Sequence, residues 1–485
     1  MHQVVKEVDY QQIKPLGSWS LYKPWPLARY CWLVFALYLI YLPLSGADRL
    51  FWDSVSYWDI VSRFFIHKKN PSLLNFNSNV RGYVGPLLIA PVRIACTIMN
   101  WKTINGSKFI GMVWATLLFG YTIPELWRVT LNTRLQARTW LLIVGLGFTF
   151  WGDYFNYCLQ DFPALTALLL SLLFLARPGF GAVFMGGVLL AASFNMRPIY
   201  MSSSLGALGW LWWHTYRRTG NNVQLGQWVG VGVYFVLGIA LVLVPQALIN
   251  YRHFHHFSPL VLINSVDRMP FYLTQLNWGV IYQRYDSSIS PLHYGGMLHS
   301  DPAGIREAAE QSKGYFDTYG AFLAYYISHP VSGVGHFLRH LFNGLDVDYC
   351  TPYPAKAPGN HITGLQLLNY NVVALGAGLL GYSIWRAFRQ PGPKLYAPLL
   401  LSIAILLPVL LAVPTAIEVR FVLPLHLLLL VTLAANFQLL WRFRGRPAMY
   451  LILGASLGLA TWGGMQLSTA AQQHLLPPNT LPATY

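Results

Sequence analysis

Apolar runs close to 20 residues long recur along this chain, and lipid leaves such runs few ways to fold. About 20 apolar residues in a helix span a bilayer's hydrocarbon core, and inside it each backbone N–H and C=O must be satisfied within the segment. The runs fall at about 30–48, 109–126, 139–152, 162–176, 181–196, 198–213, 228–249, 366–385, 396–413, 421–440 and 448–468. The expectation is an all-α polytopic membrane protein of about 11 transmembrane helices. A further run, 84–99, is short and holds Pro86, Pro91 and Arg93, so a re-entrant or interfacial segment is expected there. The composition agrees: 55% of the 485 residues are hydrophobic and only 10% charged, against roughly 25% charged in soluble domains.

Charge orients the runs. Thirty-three Lys and Arg against 17 Asp and Glu leave a formal +16, which in a membrane chain points to cytoplasmic loops and anionic lipid rather than to nucleic acid. Basic groups recur after every second run: Arg128/Arg134/Arg138, Arg177, His214/Arg217/Arg218, Arg386/Arg389/Lys394 and Arg442/Arg444/Arg446. Those loops are expected inside. The loop 49–83, "GDYFNYCLQD", the turn at Arg197, residues 251–365, "VPTAIEVR" and the tail then face outward. Counting 84–99 as a full span would part the first loop from Asp161, so a non-crossing segment resolves the topology.

The expected division is a cytoplasmic lead over 1–29 ending in an uncleaved signal anchor, a transmembrane module over 30–249, an extracytoplasmic region over 250–365, further helices over 366–468 and an outward tail over 469–485. Within the large loop, "VSGVGHFLRHLFNGL" reads as an amphipathic helix on the membrane surface. Val331, Val334, Leu338 and Leu341 share one face, with His336, Arg339, His340 and Asn343 on the other. The four cysteines show no metal spacing, and a Cys158–Cys350 bridge has no support. Neither a Gly-rich phosphate loop nor room for a nucleotide-binding βαβ unit is present.

Charges at the ends of apolar runs are the best functional pointers, because lipid tolerates them only when they are paired or wet. On the outward side lie Asp53 and Asp59, Asp153 and Asp161, Arg197, and the pair Glu418 and Arg420. Each alone has a structural reading, as a helix cap, a snorkelling arginine or a surface pair. Together they resemble a site for an anionic substrate with a base. The cluster His253, His255 and His256 reads first as interfacial and only second as metal-binding.

In order along the chain, "DSVSYWDI", "QDFPALTALLLSLLFLAR", "FNMRPIY", "VPQALINYRHFHHFSPL" and "EVRFVLPLHLLLL" resemble the GT-C class of integral-membrane glycosyltransferases. This class includes the dolichyl-phosphate-mannose protein mannosyltransferases and the lipid A aminoarabinose transferase. The resemblance implies a sugar moved from a polyprenyl-phosphate donor to a glycan, lipid or protein acceptor of the cell envelope, on the outer face of a bacterial inner membrane. It carries the general-base role to Asp53, with Asp59 as fallback, and the second acid to Asp161. Ser54 stands where many members have a second acid, and the histidine run replaces the usual glycine after the Asn turn.

The chemistry expected is an inverting single displacement. A phosphate leaving group needs cations more than a proton donor, and Arg197 and Arg420 are the candidates, with Arg81, Lys68 and Lys69 as alternates and Tyr57 and Glu418 beside them. The acceptor side is assigned to Tyr83, His253, His255 and His256. No cofactor is required; a divalent cation between Asp53 and Asp161 is the alternative. Rival readings are a transporter or flippase of lipid-linked sugars and a lipid-linked glycan ligase or polymerase.

Overall fold

The computed structural model describes residues 21–66, 70–219, 225–262, 269–356, 363–389, 393–441 and 447–477. Helices dominate. In chain order they are α1 (Leu27–Leu44), α2 (Trp52–Asp59), α3 (Val84–Ile98), α4 (Thr103–Ala115), α5 (Ile123–Leu131), α6 (Ala137–Trp151), α7 (Asp161–Leu175), α8 (Phe180–Met196), α9 (Ser203–Thr219) and α10 (Leu225–Phe254). There follow α11 (Phe271–Ile281), α12 (Pro302–Ala309), α13 (Tyr319–Ser328), α14 (Pro330–Leu345), α15 (Gly364–Arg389), α16 (Pro393–Ala412), α17 (Leu423–Trp441) and α18 (Pro447–Gln472). A π turn over Thr116–Thr122 joins α4 to α5 without a break.

Among the described residues five helices are long and apolar enough to cross a membrane: Leu27–Leu44, Thr103–Leu131, Leu225–Phe254, Gly364–Arg386 and Val419–Phe437. Their surfaces fit that medium. Leu39, Val236, Leu237 and Leu241 are each more than half exposed, which water would penalise and acyl chains would not. Two features depart from a purely helical chain. Strands β1 (Phe65–Ile66) and β2 (Asn70–Pro71) form one antiparallel ribbon, and β3 (Tyr282–Asp286) and β4 (Met297–Ser300) another.

The bundle has two chemically distinct ends. At one, Arg128 and Arg177 both meet Glu125, and Arg218 donates to the Ala176 carbonyl. At the other lies Asp161. The 15 residues of α7 separate them, about 22 Å of helix. Arg128, Arg177 and Arg218 therefore lie a helix length away from Asp161, with Glu125 among them; Arg442, Arg444 and Arg446 lie outside the described residues.

Helix α3 begins and ends at the Asp161 end. Arg93 donates to the Asp59 carbonyl at 2.8 Å, and just after α3 the Ser107 hydroxyl donates to the Asn156 carbonyl at 2.8 Å. Pro91 lies inside α3, whose 15 residues rise about 22 Å, the same as those of α7. The chain after α18 runs along β4: the Ser300 N–H donates to the His474 carbonyl at 2.9 Å and the Leu476 N–H to the Leu298 carbonyl at 2.8 Å.

Helix α14 inverts the usual amphipathic arrangement. Val331, Val334 and Leu338 point outward at 87%, 60% and 56% exposure, while His336, His340 and Asn343 are buried against protein. An outward apolar face suits a lipid surface; Leu341 departs from it and packs inward beside Val409 and Val413.

Candidate active site

Four helix ends meet at the Asp161 end of the bundle. Asp53 lies in the first turn of α2 and Asp161 opens α7, positions where the N-terminal partial charge of a helix favours an acid. Arg197 ends α8 in an extended conformation forced by Pro198. Glu418 and Arg420 lie on the turn that leads into α17, where the Phe421 N–H closes onto the Glu418 carbonyl at 2.8 Å. Trp52, beside Asp53, has φ of 43°, a left-handed conformation that a bulky residue adopts only under constraint. Its indole N–H donates to the Ser288 carbonyl at 2.9 Å and holds it there.

One guanidinium organises the acids. Arg420 donates from Nε to Glu418 Oε2 at 2.7 Å and from Nη2 to Asp53 Oδ2 at 2.8 Å, and its Nη1 lies 3.9 Å from Asp161 Oδ2. Arg81 holds the other Asp53 oxygen at 2.6 Å, and Arg197 pairs with Asp161. Rings back the cations: Arg81 stacks 4.0 Å over Tyr57, while Arg197 and Arg420 flank Phe421 at 5.2 and 5.8 Å. Three acids and three arginines thus interlock, with formal charge balanced.

Their protonation differs. Burial would raise the Asp53 carboxyl, but the Arg420 and Arg81 guanidiniums outweigh it and hold Asp53 far below the usual carboxylate range. Glu418 goes the other way: burial raises it to about 7 against the lowering by Arg420, with Asp53 and Asp286 adding to the rise. Asp53 is a firm anion and a poor base in this state. Glu418 is poised near neutrality.

Asp53, Tyr57, Arg81, Arg197, Glu418 and Arg420 line a cavity of about 660 Å³, whose lining also includes Trp52, Trp278 and Tyr285. A second cavity of about 630 Å³ adjoins it, sharing Arg197, Arg420 and Phe421 and otherwise lined mostly by apolar side chains such as Met201, Leu205 and Leu411. Leu205 and Met201 are 71% and 48% exposed, so that cavity opens sideways on the bundle surface. The arginines stand where a wet chamber meets a greasy groove.

The sequence-expected residues divide cleanly. Asp53, Asp161, Arg197, Arg420, Glu418, Arg81 and Tyr57 come together. Asp59 does not: it ends α2 away from the cavity lining, and its carbonyl, not its carboxylate, meets Arg93. Tyr83 is buried with its hydroxyl on the Val242 carbonyl at 3.1 Å, and His253 Nε2 lies 2.9 Å from the Leu74 carbonyl. His255 and His256 are exposed on the turn after α10, so none of these four lines the cavity. Lys68 and Lys69 lie outside the described residues. Asp53 and Asp161 share Arg420, so a divalent cation between them would have to displace that guanidinium. Cys158 and Cys350 are free thiols.

Sequence reasoning missed the aromatic wall and a buried ion cluster behind it. Arg284 contacts Asp286 at 2.6 Å, Asp346 at 3.3 Å and Asp348 at 2.9 Å, joining β3 to the segment after α14. The available signal was scarcity: in a chain with only 17 acids, "YQRYD" and "DVD" deserved the same scrutiny as the juxtamembrane acids. Asn250, within the turn the resemblance singles out, is structural. A buried amide chain runs from Asn195 Nδ2 to Gln246 Oε1 at 2.9 Å and from Gln246 Nε2 to Asn250 Oδ1 at 3.0 Å, tying α8 to α10.

Comparison with protein-family models, with curated proteins and with solved structures finds no match for this chain.

Proposed function

We propose that this protein is a membrane glycosyltransferase of the GT-C kind, moving a sugar from a polyprenyl-phosphate donor to an acceptor of the cell envelope at the extracytoplasmic face. In this reading the helices long enough to cross, with others of the bundle, make about 11 crossings, and α3 makes none. The observation that carries the reading is the junction of two cavities at Arg197 and Arg420. An isoprenoid tail suits the apolar groove, a phosphate suits the guanidiniums, and a sugar suits the aromatic-walled chamber.

The acceptor oxygen attacks the anomeric carbon as the carbon–oxygen bond to phosphate breaks, with inversion; the acceptor proton passes to a carboxylate and polyprenyl phosphate leaves as an anion. Asp53 is the proposed base. Its pairing with Arg81 and Arg420 suppresses its basicity in the free protein, and a bound phosphate competing for those cations would restore it. Asp161 holds Arg197 in place for the phosphate. A second reading gives the proton to Glu418, favoured by its titration near neutrality and its place on the cavity wall.

The test is a reconstitution with lipid-phosphate sugar and acceptor. Purified protein in detergent should form a glycosidic bond, and Asp53→Asn should lower the rate roughly 10²–10⁴-fold with the protein still monodisperse. Sealed vesicles in which lipid-linked sugar changes leaflet with no bond formed would replace this reading with a flippase. Consumption of a lipid diphosphate donor would make it a ligase or polymerase.

A further inference from the structure

Helix α14 buries two histidines one turn apart, His336 and His340, 3% and 0% exposed, with ring centroids 4.1 Å apart. Burial of a pair of imidazoles beside an arginine calls for a chemical reason. Each ring has one nitrogen engaged by the segment that leads to Glu418: His336 Nε2 lies 3.4 Å from the Pro414 carbonyl and His340 Nδ1 lies 2.9 Å from the Thr415 carbonyl. The Val413 carbonyl also lies against the His340 ring. The opposite nitrogens, His336 Nδ1 and His340 Nε2, make no hydrogen bond among the described residues. A carbonyl that accepts from one ring nitrogen fixes the tautomer and leaves the other lone pair free, which is how protein histidines are prepared for a metal.

Asp301 completes the set. It is 2% exposed, and one of its oxygens, with one nitrogen of each ring, forms a group whose atoms all lie within 4.8 Å of one another. Asp301 Oδ1 accepts from the Ala303 and Gly304 N–H groups at 3.0 and 3.3 Å, and Oδ2 accepts from Arg339 Nε and Nη2 at 3.0 and 2.8 Å. The Arg339 side chain is 35% exposed and can leave to solvent, so one cation can give way to another at Oδ2.

We infer that His336, His340 and Asp301 form a binding site for a zinc-like divalent transition metal ion, with Arg339 as the cation that occupies Asp301 when the metal is absent. Two imidazoles and a carboxylate are the donor set zinc takes, with a fourth position left for water. The ion would pin α14 to the start of α12 at Asp301, while the ring–carbonyl contacts of the same two histidines tie α14 to the Pro414–Thr415 segment that precedes Glu418 and Arg420. Its place is structural, at the back of the cavity wall, and it does not depend on the reaction proposed above.

The experiment uses full-length purified protein stripped with a chelator. Equilibrium dialysis against zinc, read by elemental mass spectrometry, should give one ion per chain, and cobalt in its place should show the visible absorption of tetrahedral coordination. His336→Gln and His340→Gln should weaken zinc by more than the 10–100-fold, roughly, that losing an orienting hydrogen bond costs. Arg339→Gln keeps all three ligands and should tighten binding, which separates ligation from a folding defect. Stripped wild-type protein that binds no more zinc than the double histidine variant, or cobalt without those bands, overturns the site.

Discussion

Glu418 and Asp53 are two carboxylates that touch the same guanidinium and titrate in opposite directions, because Asp53 has two cationic partners and Glu418 has one within a fully enclosed setting. The sign of each shift sets a measurable pH dependence. A group held below its unfolded value adds stability above that unfolded value of about 4 and loses it as pH falls, so Asp53 should contribute to acid unfolding below about pH 4. Asp53→Asn should therefore flatten the fall in thermal midpoint between about pH 4 and pH 2, measured by differential scanning fluorimetry. If Glu418 takes the proton, the transfer rate rises through about pH 7 and Glu418→Gln removes that inflection. An inflection that survives the substitution assigns it to another group. Arg197→Ala should raise the donor concentration needed for half-maximal rate; an unchanged donor titration and rate would remove Arg197 from the phosphate site.

At the scale of elements, the arrangement of helix ends depends on close packing in the bundle. Helices α8 and α10 cross at Gly187 and Gly238, where a methyl group would intrude on the Phe235 and Phe184 carbonyls respectively. Two backbones approach that closely only where side chains are absent. The same pair of helices carries Arg197 at one end and the Asn195–Gln246–Asn250 amide chain beside it. Gly238→Val should therefore destabilise the protein by about 1–3 kcal/mol and shift the donor-binding end, seen as a lower thermal midpoint in detergent together with weaker donor binding. The amphipathicity of α14 and an apolar face for the membrane surface were legible in its sequence, but not that protein would cover the histidine face. In a soluble protein the valines would turn inward; here lipid is an alternative partner for them, and the histidines face protein.

For the whole molecule, the separation of charge along α7 makes a topological prediction. Lys102 and Ser312 belong to the end that carries Asp53 and Asp161, whereas Thr133 lies with Arg128 near the other. Cysteines placed at Lys102 and Ser312 should react with an impermeant maleimide on intact cells, and one at Thr133 only after lysis, with Cys31 and Cys350 controlled in the parent. Labelling of Lys102→Cys only after lysis would mean that α3 crosses the bilayer after all.

Helical architecture and helices apolar enough to cross a membrane were readable from the chain, because apolar length acts locally and survives any packing. "DSVSYWDI" offered two aspartates, and the resemblance favoured Asp53 with Asp59 as fallback. What the fold adds is the setting, by bringing Arg81 from 28 residues away and Arg420 from 367 residues away to the two Asp53 oxygens. The same holds for the histidines. Those at 253–256 looked chemical through adjacency and lie on a turn, while His336 and His340 gain significance from Asp301 and from carbonyls of a distant loop. Proximity in space between residues remote in sequence is a property of packing, and a linear pattern does not encode it position by position.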